Sequence, residues 1–202
     1  MAALVAQNIL KSLWREQPNE WVADLDIVCG DQKGVTAHEI IVCNGSKYLA
    51  KVCNETKRED HFHMINVPEP SNIVRSICEY MYGFDFDHEF GGSGYSIANE
   101  FICFLIAAEK YGVPTMCKQI TASMVNRTKS MCGTDLCCLG TALLEGPRRN
   151  IVPQMVFDVV IDRAARKLNE IVDDDEAWST LQSNSEFLKA VLTDAGALIA
   201  GE

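Results

Sequence analysis

The segment Ala23–Gly30, which reads ADLDIVCG, is followed at a short distance by Val35–His38, which reads VTAH. In the first segment the residues Leu25, Ile27 and Cys29 alternate with Asp24, Asp26 and Val28. This period of two predicts a strand with one buried face. The glycines and polar residues between the segments predict a turn. The two segments therefore predict a β-hairpin.

The residues after the hairpin predict short helices and one more strand. His38–Val42 indicates a short helix, and Ser46 is placed to cap the next helix. Met64–Val67 predicts a short strand. Ser71 is then expected to cap a helix whose apolar residues recur at intervals of three and four.

Beyond residue 83 the pattern is helical apart from one loop. Residues 84–98, with several glycines, predict an irregular loop, and a strongly apolar helix is expected from Asn99 to Tyr111. A further helix is expected over 115–126. From Thr134 onward the pattern predicts helices only, including a long one over 151–171 placed centrally in a bundle.

The N-terminal residues predict an amphipathic helix that ends at Gln17–Asn19, because proline disfavours helix in the residue before it. One side of this helix carries an apolar stripe, and such a stripe must dock against something. Its members are Leu4, Val5, Ile9, Leu13 and Trp14.

Charge and cysteine usage exclude several classes of protein. The 202-residue chain has a net charge of −10, and no basic cluster that would bind nucleic acid. Its nine cysteines contain no C-x-x-C pair, the first residues lack the order of a signal peptide, and no apolar run is long enough to span a membrane. We therefore expect an intracellular protein, cytoplasmic and/or nuclear.

Four short motifs suggest chemistry, but each has a simpler structural interpretation. His61-x-His63 has no obvious third metal ligand, and the adjacent Cys137 and Cys138 point apart on a helix. Gly91–Gly94 lacks the lysine of a phosphate loop. The acidic run 173–176 favours a helix dipole more than it resembles a calcium loop. We expect no catalytic residue, no metal and no cofactor.

In order and spacing, a set of short motifs resembles the BTB/POZ domain family over roughly residues 20–128. The motifs are Asp24–Ile27, Ala37-His38, Cys43 with Ser46, Val67-Pro68, Tyr80–Gly83 and Ala108–Val113. The resemblance implies an α+β fold, with a small mixed sheet flanked by helices and then an all-α extension. The expected divisions are 1–18 for the N-terminal helix, 19–128 for the BTB/POZ domain and 129–202 for the helical extension. The last part is similar to the BACK-like tail of short stand-alone BTB proteins of filamentous fungi.

The resemblance implies a protein–protein interaction module rather than an enzyme. Its partners would be itself, as a homodimer through the N-terminal stripe, or another BTB protein. The alternative is a substrate adaptor of a cullin-RING ubiquitin ligase. Cullin binders often carry a hydrophobic-x-Glu element, and the nearest match is Cys53-Asn54-Glu55.

The resemblance also implies a charged pocket. The family places a His-Lys or His-Arg pair opposite a buried aspartate, and here Asp24 faces His38 followed by Glu39. Two neighbouring carboxylates repel each other in a partly buried pocket. In the alternative arrangement, Glu39 points to solvent and Lys47 is the partner of Asp24.

Overall fold

A small sheet organises the N-terminal part of the computed structural model, which describes residues 2–15, 23–58 and 63–200. Strand β1 (Leu25–Val28) pairs antiparallel with β2 (Gly34–Ala37) and parallel with β3 (His63–Asn66). The order is β2-β1-β3, and the predicted hairpin and strand are confirmed. The fold is α+β, as expected.

The alternation in β1 decides which face of the sheet is covered. Leu25 and Ile27 are fully buried, and so is Ile65, the partner of Ile27 on β3. Asp26, between the two apolar residues, is half-buried. Burial of apolar surface on one face therefore fixes the register, because a slip of one residue would exchange the two faces.

Four helices accompany the sheet: α1 (Ala2–Arg15), α2 (Glu39–Gly45), α3 (Lys47–Glu55) and α4 (Ser71–Met81). Helix α3 packs on α2 and β3, and α4 packs on α2 and β2. The Ser46 hydroxyl accepts from the backbone N–H of Leu49 at 3.1 Å, which confirms the predicted cap of α3. The predicted end of the first helix at 17–19 lies outside the described residues.

The start of α4 differs from the prediction. Ser71 is the first helical residue rather than the cap, which is Pro70. Asp31, in the hairpin turn, accepts from the Ser71 backbone N–H at 3.1 Å and from its hydroxyl at 2.7 Å. A carboxylate from a distant turn thus accepts a backbone N–H that has no partner within the helix, and the local sequence does not show this contact.

Helix α5 (Gly94–Lys110) begins earlier than the predicted Asn99, so part of the expected loop is helical. The Gly94 N–H donates to Asp135 Oδ1 at 3.1 Å, which stabilises this helix start from 41 residues away. Gly112, with φ of +74°, ends the run as predicted and leads to α6 (Pro114–Thr128).

The remaining helices are α7 (Gly133–Leu144), a 3-10 helix (Gly146–Asn150), α8 (Gln154–Arg166), α9 (Leu168–Val172), α10 (Asp175–Ser183) and α11 (Ser185–Ala200). The predicted single helix over 151–171 is wrong: it is two helices, because Lys167 leaves the helical conformation with ψ of 15°. The central helix is α7, which contacts α8, α9, α10 and α11. As predicted, no strand occurs in residues 134–200.

Close packing around α7 depends on a glycine. A Cβ on Gly140 would lie 2.2 Å from the ring of Phe187, which α11 buries against this position. Because glycine has no side chain, α7 and α11 can approach each other closely at Gly140.

Spatial proximity divides the chain into two compact units. The first comprises residues 1–87 and 106–119, and the second comprises 88–105 and 120–202. The sequence-based domain limits at residues 18 and 128 stay a prediction. Among the described helices, none combines the length and apolar character needed to cross a membrane.

Candidate functional site

The first unit has a solvent-facing hollow of about 440 Å³ beside the start of β1. Asp24 precedes β1, α2 supplies one wall and α3 another, and Arg58 follows the end of α3. The hollow is lined by Asp24, Glu39, Ile40, Cys43, Asn44, Ala50 and Arg58. It therefore combines acidic, basic, thiol and apolar groups in one place.

A single cation bridges the two carboxylates of the hollow. Arg58 Nη2 lies 3.4 Å from Asp24 Oδ2 and 3.5 Å from Glu39 Oε2. Asp24 Oδ1 also accepts from the backbone N–H of Glu39 at 2.7 Å, and so caps the first turn of α2. The predicted repulsion between the carboxylates is thus offset by Arg58, which sequence reasoning did not name.

Two of the four predicted pocket residues lie elsewhere. Lys47 is exposed and does not line the hollow, and the described cation at Asp24 is Arg58. His38 is buried and faces Tyr82: its backbone N–H donates to the Tyr82 hydroxyl at 2.8 Å, and its Nδ1 lies 2.7 Å from the same oxygen. The charged pocket consists of Asp24, Glu39 and Arg58.

The buried side chain of His63 contacts the carboxylate of Glu39. Its side chain is 4% exposed, with Nδ1 3.3 Å from Glu39 Oε2 and Nε2 3.2 Å from the backbone oxygen of Thr56. Both partners are oxygen atoms that only accept, so a ring nitrogen bonds to either of them only when it carries a proton. His63 was predicted as half of a two-histidine motif, and the other half, His61, lies outside the described residues.

Two thiols meet at the inner side of the hollow. Cys43 and Cys53 belong to successive helices, and the Cys53 thiol hydrogen-bonds to Cys43. Burial raises the pKa of both thiols, that of Cys53 to about 12. Both are therefore protonated near neutral pH, which makes them weak nucleophiles.

Sequence reasoning overlooked this cluster. Glu39 and Cys43 are four residues apart on α2, so they share one helix face, and Cys53 approaches them from α3. The spacing of four was visible in the sequence, but the approach of Cys53 depends on how the two helices pack. No disulfide joins any of the nine cysteines.

The N-terminal helix α1 divides its apolar residues between two sides. Leu4, Val5 and Ile9 are 62%, 54% and 56% exposed. Leu13 is half-buried, whereas Trp14 is only 9% exposed. Trp14 therefore belongs to the core of the first unit rather than to the predicted interface.

Polar and aromatic contacts attach α1 to the first unit. The Gln7 side-chain amide donates to the backbone oxygen of Gly83 at 2.6 Å. The Trp14 indole N–H donates to Glu79 at 3.2 Å, and its ring packs on Tyr82. Around the helix these contacts lie roughly 140–180° from Val5 and Ile9, and about 60–80° from Leu4.

Of the two residues predicted to contact a cullin, one is buried and one is exposed. Cys53 is 3% exposed, because its side chain points into the first unit towards Cys43. Glu55 is exposed at the end of α3, with its carboxylate 3.8 Å from Lys51. Only Glu55 of this pair lies on the surface.

Comparison with protein families identifies the first part of the chain. A family model described as BTB/POZ domain matches residues 15–128, which covers the sheet, the hollow and helices α2–α6. No curated protein matches the chain.

Proposed function

Since the chain belongs to the BTB/POZ domain family, whose members are generally protein–protein interaction modules, we propose that it self-associates as a homodimer through α1 and performs no catalysis. The observation that carries this proposal is the exposed apolar stripe of Leu4, Val5 and Ile9. Neighbouring exposed apolar residues on a helix favour contact with a partner protein.

The way α1 is attached to the first unit supports a second copy of the chain as the partner that covers the stripe. The side of the helix opposite Val5 and Ile9 already contacts its own unit through Gln7 and Trp14. This attachment holds the stripe outward in a fixed direction, so little ordering entropy is lost when two copies meet. A two-fold arrangement needs the same patch on both copies, and one short stripe is such a patch.

The size of the helix is compatible with an interface core. A helix of 14 residues is about 21 Å long, and standard interfaces bury roughly 1,600 Å² in total. The described part of the first unit has three further exposed large apolar residues on other elements: Ile40 on α2, Met64 on β3 and Ile106 on α5. We propose that the α1 stripe is the centre of the contact and that polar surface surrounds it.

Salt dependence separates this interface from a charge-mediated one. Each copy carries a net charge of −10, so two copies repel each other at long range. Salt screens this repulsion, whereas the burial of Leu4, Val5 and Ile9 is not weakened by it. A dimer through α1 therefore persists, or strengthens, as salt is raised.

Co-expression of a tagged and an untagged copy of the intact chain tests the proposal. The tagged copy should capture the untagged copy and retain it through a high-salt wash. Recovery of the tagged copy alone, at expression levels that give micromolar protein, contradicts self-association. Capture that is lost on washing with high salt contradicts the apolar contact specifically.

The cullin-adaptor alternative has weaker support in the first unit. Its hydrophobic element would be Cys53, which is buried, although Glu55 is exposed on α3. A pull-down with a cullin N-terminal domain at micromolar concentration tests it, and no binding would end this alternative. The proposed location stays cytoplasmic and/or nuclear, since nine cysteines without a disulfide are typical of reducing compartments.

A further inference from the structure

Three potential metal ligands converge at the inner wall of the hollow. A carboxylate oxygen of Glu39 and the sulfur atoms of Cys43 and Cys53 all lie within 4.8 Å of one another. Glu39 and Cys43 are half-buried and Cys53 is buried. The group is distinct from the His61-x-His63 motif that the sequence suggested.

The separation of these atoms is close to what a tetrahedral ion requires. Zinc binds sulfur at about 2.3 Å and carboxylate oxygen at about 2.0–2.2 Å, so its ligand atoms lie roughly 3.4–3.8 Å apart. Side-chain rotations that move the three atoms by about 1 Å complete such a shell. Helices α2 and α3, which carry the three ligands, already pack together.

The chemistry of the donor set selects the class of metal. Two thiolates favour zinc and other soft or borderline ions over magnesium and calcium, which prefer oxygen. We propose that Glu39, Cys43 and Cys53 bind one zinc ion, with a water molecule in a fourth position that faces the hollow. Three protein ligands with one open position is the arrangement of zinc sites that exchange ligands.

The surroundings balance the charge of the occupied site. Two thiolates and one carboxylate against a divalent ion leave one negative charge, and Arg58 lies 3.5 Å from Glu39 Oε2. His63 also bonds to Oε2, at 3.3 Å, and a carboxylate has a second oxygen for the metal. Outer partners of this kind orient a ligand and strengthen its binding.

Binding must release protons. Each of the two thiols loses its proton to solvent as its sulfur bonds to the ion, so two protons leave for each zinc bound. No oxidant or reductant is involved. The site lies within the first unit and does not depend on self-association.

Titration of the intact chain with cobalt, a spectroscopic substitute for zinc, tests the proposal. The protein is kept reduced with a phosphine, and zinc affinity is measured by competition with a chromophoric chelator. We expect one ion per chain, with the absorption bands of tetrahedral cobalt bound to thiolate. Absence of these bands, or zinc binding too weak to compete with the chelator, overturns the proposal.

Variants then assign the ligands. Cys43→Ser should abolish the thiolate–cobalt band, and Glu39→Gln should weaken binding. His63→Gln should weaken it about 10–100-fold, as an outer partner does. The matched control is Cys103→Ser, which removes an exposed thiol of the second unit and should change nothing.

Cys43 and Glu39 are half-buried, so their variants should keep the circular dichroism of the parent chain even if a Cys53 variant unfolds. If folded Cys43→Ser binds zinc as the parent does, the proposal is wrong. Loss of binding in Cys103→Ser alone would also overturn it, since that would place the metal at an exposed thiol.

Discussion

The rings of Trp14 and Tyr82 pack with their centroids 4.9 Å apart and their planes inclined by 52°. Tyr82 is fully buried, and its hydroxyl accepts the backbone N–H of His38 directly ahead of α2. One tyrosine therefore connects the N-terminal helix to the element that forms a wall of the hollow. The same contact directs the other side of α1 outward.

Truncating Trp14 should destabilise the chain, because this residue attaches α1 to the first unit. Trp14→Ala removes a nearly buried ring and should lower the free energy of unfolding by about 3–5 kcal/mol, the cost of large-to-small core changes. Lys51→Ala, at an exposed position of α3 outside the proposed interface, should change it by less than about 0.5 kcal/mol. Urea denaturation at matched protein concentration measures both. Equal effects would show that α1 is not attached through Trp14.

The Tyr82 hydroxyl should matter more than that of its near neighbour Tyr80. Tyr82→Phe leaves the buried backbone N–H of His38 without its partner and should cost about 1–3 kcal/mol. The matched control, Tyr80→Phe, removes an exposed hydroxyl that donates to Thr115 at 2.8 Å and should cost less than about 1 kcal/mol. Chemical denaturation compares the two, and a larger loss in Tyr80→Phe would contradict this account.

Glu69 should contribute to acid sensitivity. Burial alone would raise its pKa, but hydrogen bonds from Lys110 at 2.6 Å and Tyr111 at 2.7 Å outweigh burial and lower the pKa below its usual 4.5. Because the unfolded chain then takes up the proton first, the stabilisation is present above pH 4.5 and is lost as the pH falls through the folded pKa.

Glu69→Gln should therefore lower stability at pH 7 by about 1–3 kcal/mol and flatten its decline in acid. Denaturation curves from pH 7 to acid measure this. The exposed Glu109 provides the control, since Glu109→Gln should leave the acid profile of the parent nearly unchanged. A parallel decline in the parent and in Glu69→Gln would rule out this contribution.

Two glycines in helices should respond in opposite directions to alanine. Gly140→Ala places a methyl group 2.2–2.6 Å from three ring atoms of Phe187 and should destabilise the second unit by about 1–3 kcal/mol. Gly196→Ala, in α11 with nothing within 4 Å, should stabilise it by about 0.5–1 kcal/mol. Thermal melts of the two variants test the contrast. Stabilisation by both would show that α7 and α11 are not closely packed.

Local patterns predicted the elements whose determinants are local. Alternation in Leu25–Val28 predicted β1, and Ser46 predicted the start of α3, because period and capping depend on residues a few positions apart. The start of α4 fell one residue from the prediction and that of α5 fell five residues from it, and Asp31 and Asp135 stabilise these starts from 40 and 41 residues away. No local pattern records such contacts.

The charged pocket and the apolar side of α1 were predicted only in part, because they also depend on contacts between residues that are distant in the sequence. The resemblance put Asp24 opposite the His38-Glu39 pair, and the structure brings Glu39 but not His38 to Asp24. The periodicity of α1 indicated a stripe from Leu4 to Trp14, of which Trp14 is buried. The choice of Arg58 rather than Lys47 as the cation depends on the path of the chain after α3. Likewise, Trp14 could be assigned to the core only once Tyr82 was seen beneath it.

Light scattering on the intact chain and on Leu4→Asp/Ile9→Asp, at tens of micromolar, tests self-association through α1 most directly. Both positions are exposed, so the charges should leave the fold intact, which circular dichroism checks. Val172→Asp, at an exposed valine of the second unit, is the matched control. We predict a dimeric mass for the parent and for Val172→Asp, and a monomeric mass for the double variant. A monomeric parent, or a double variant that stays dimeric, would contradict the account.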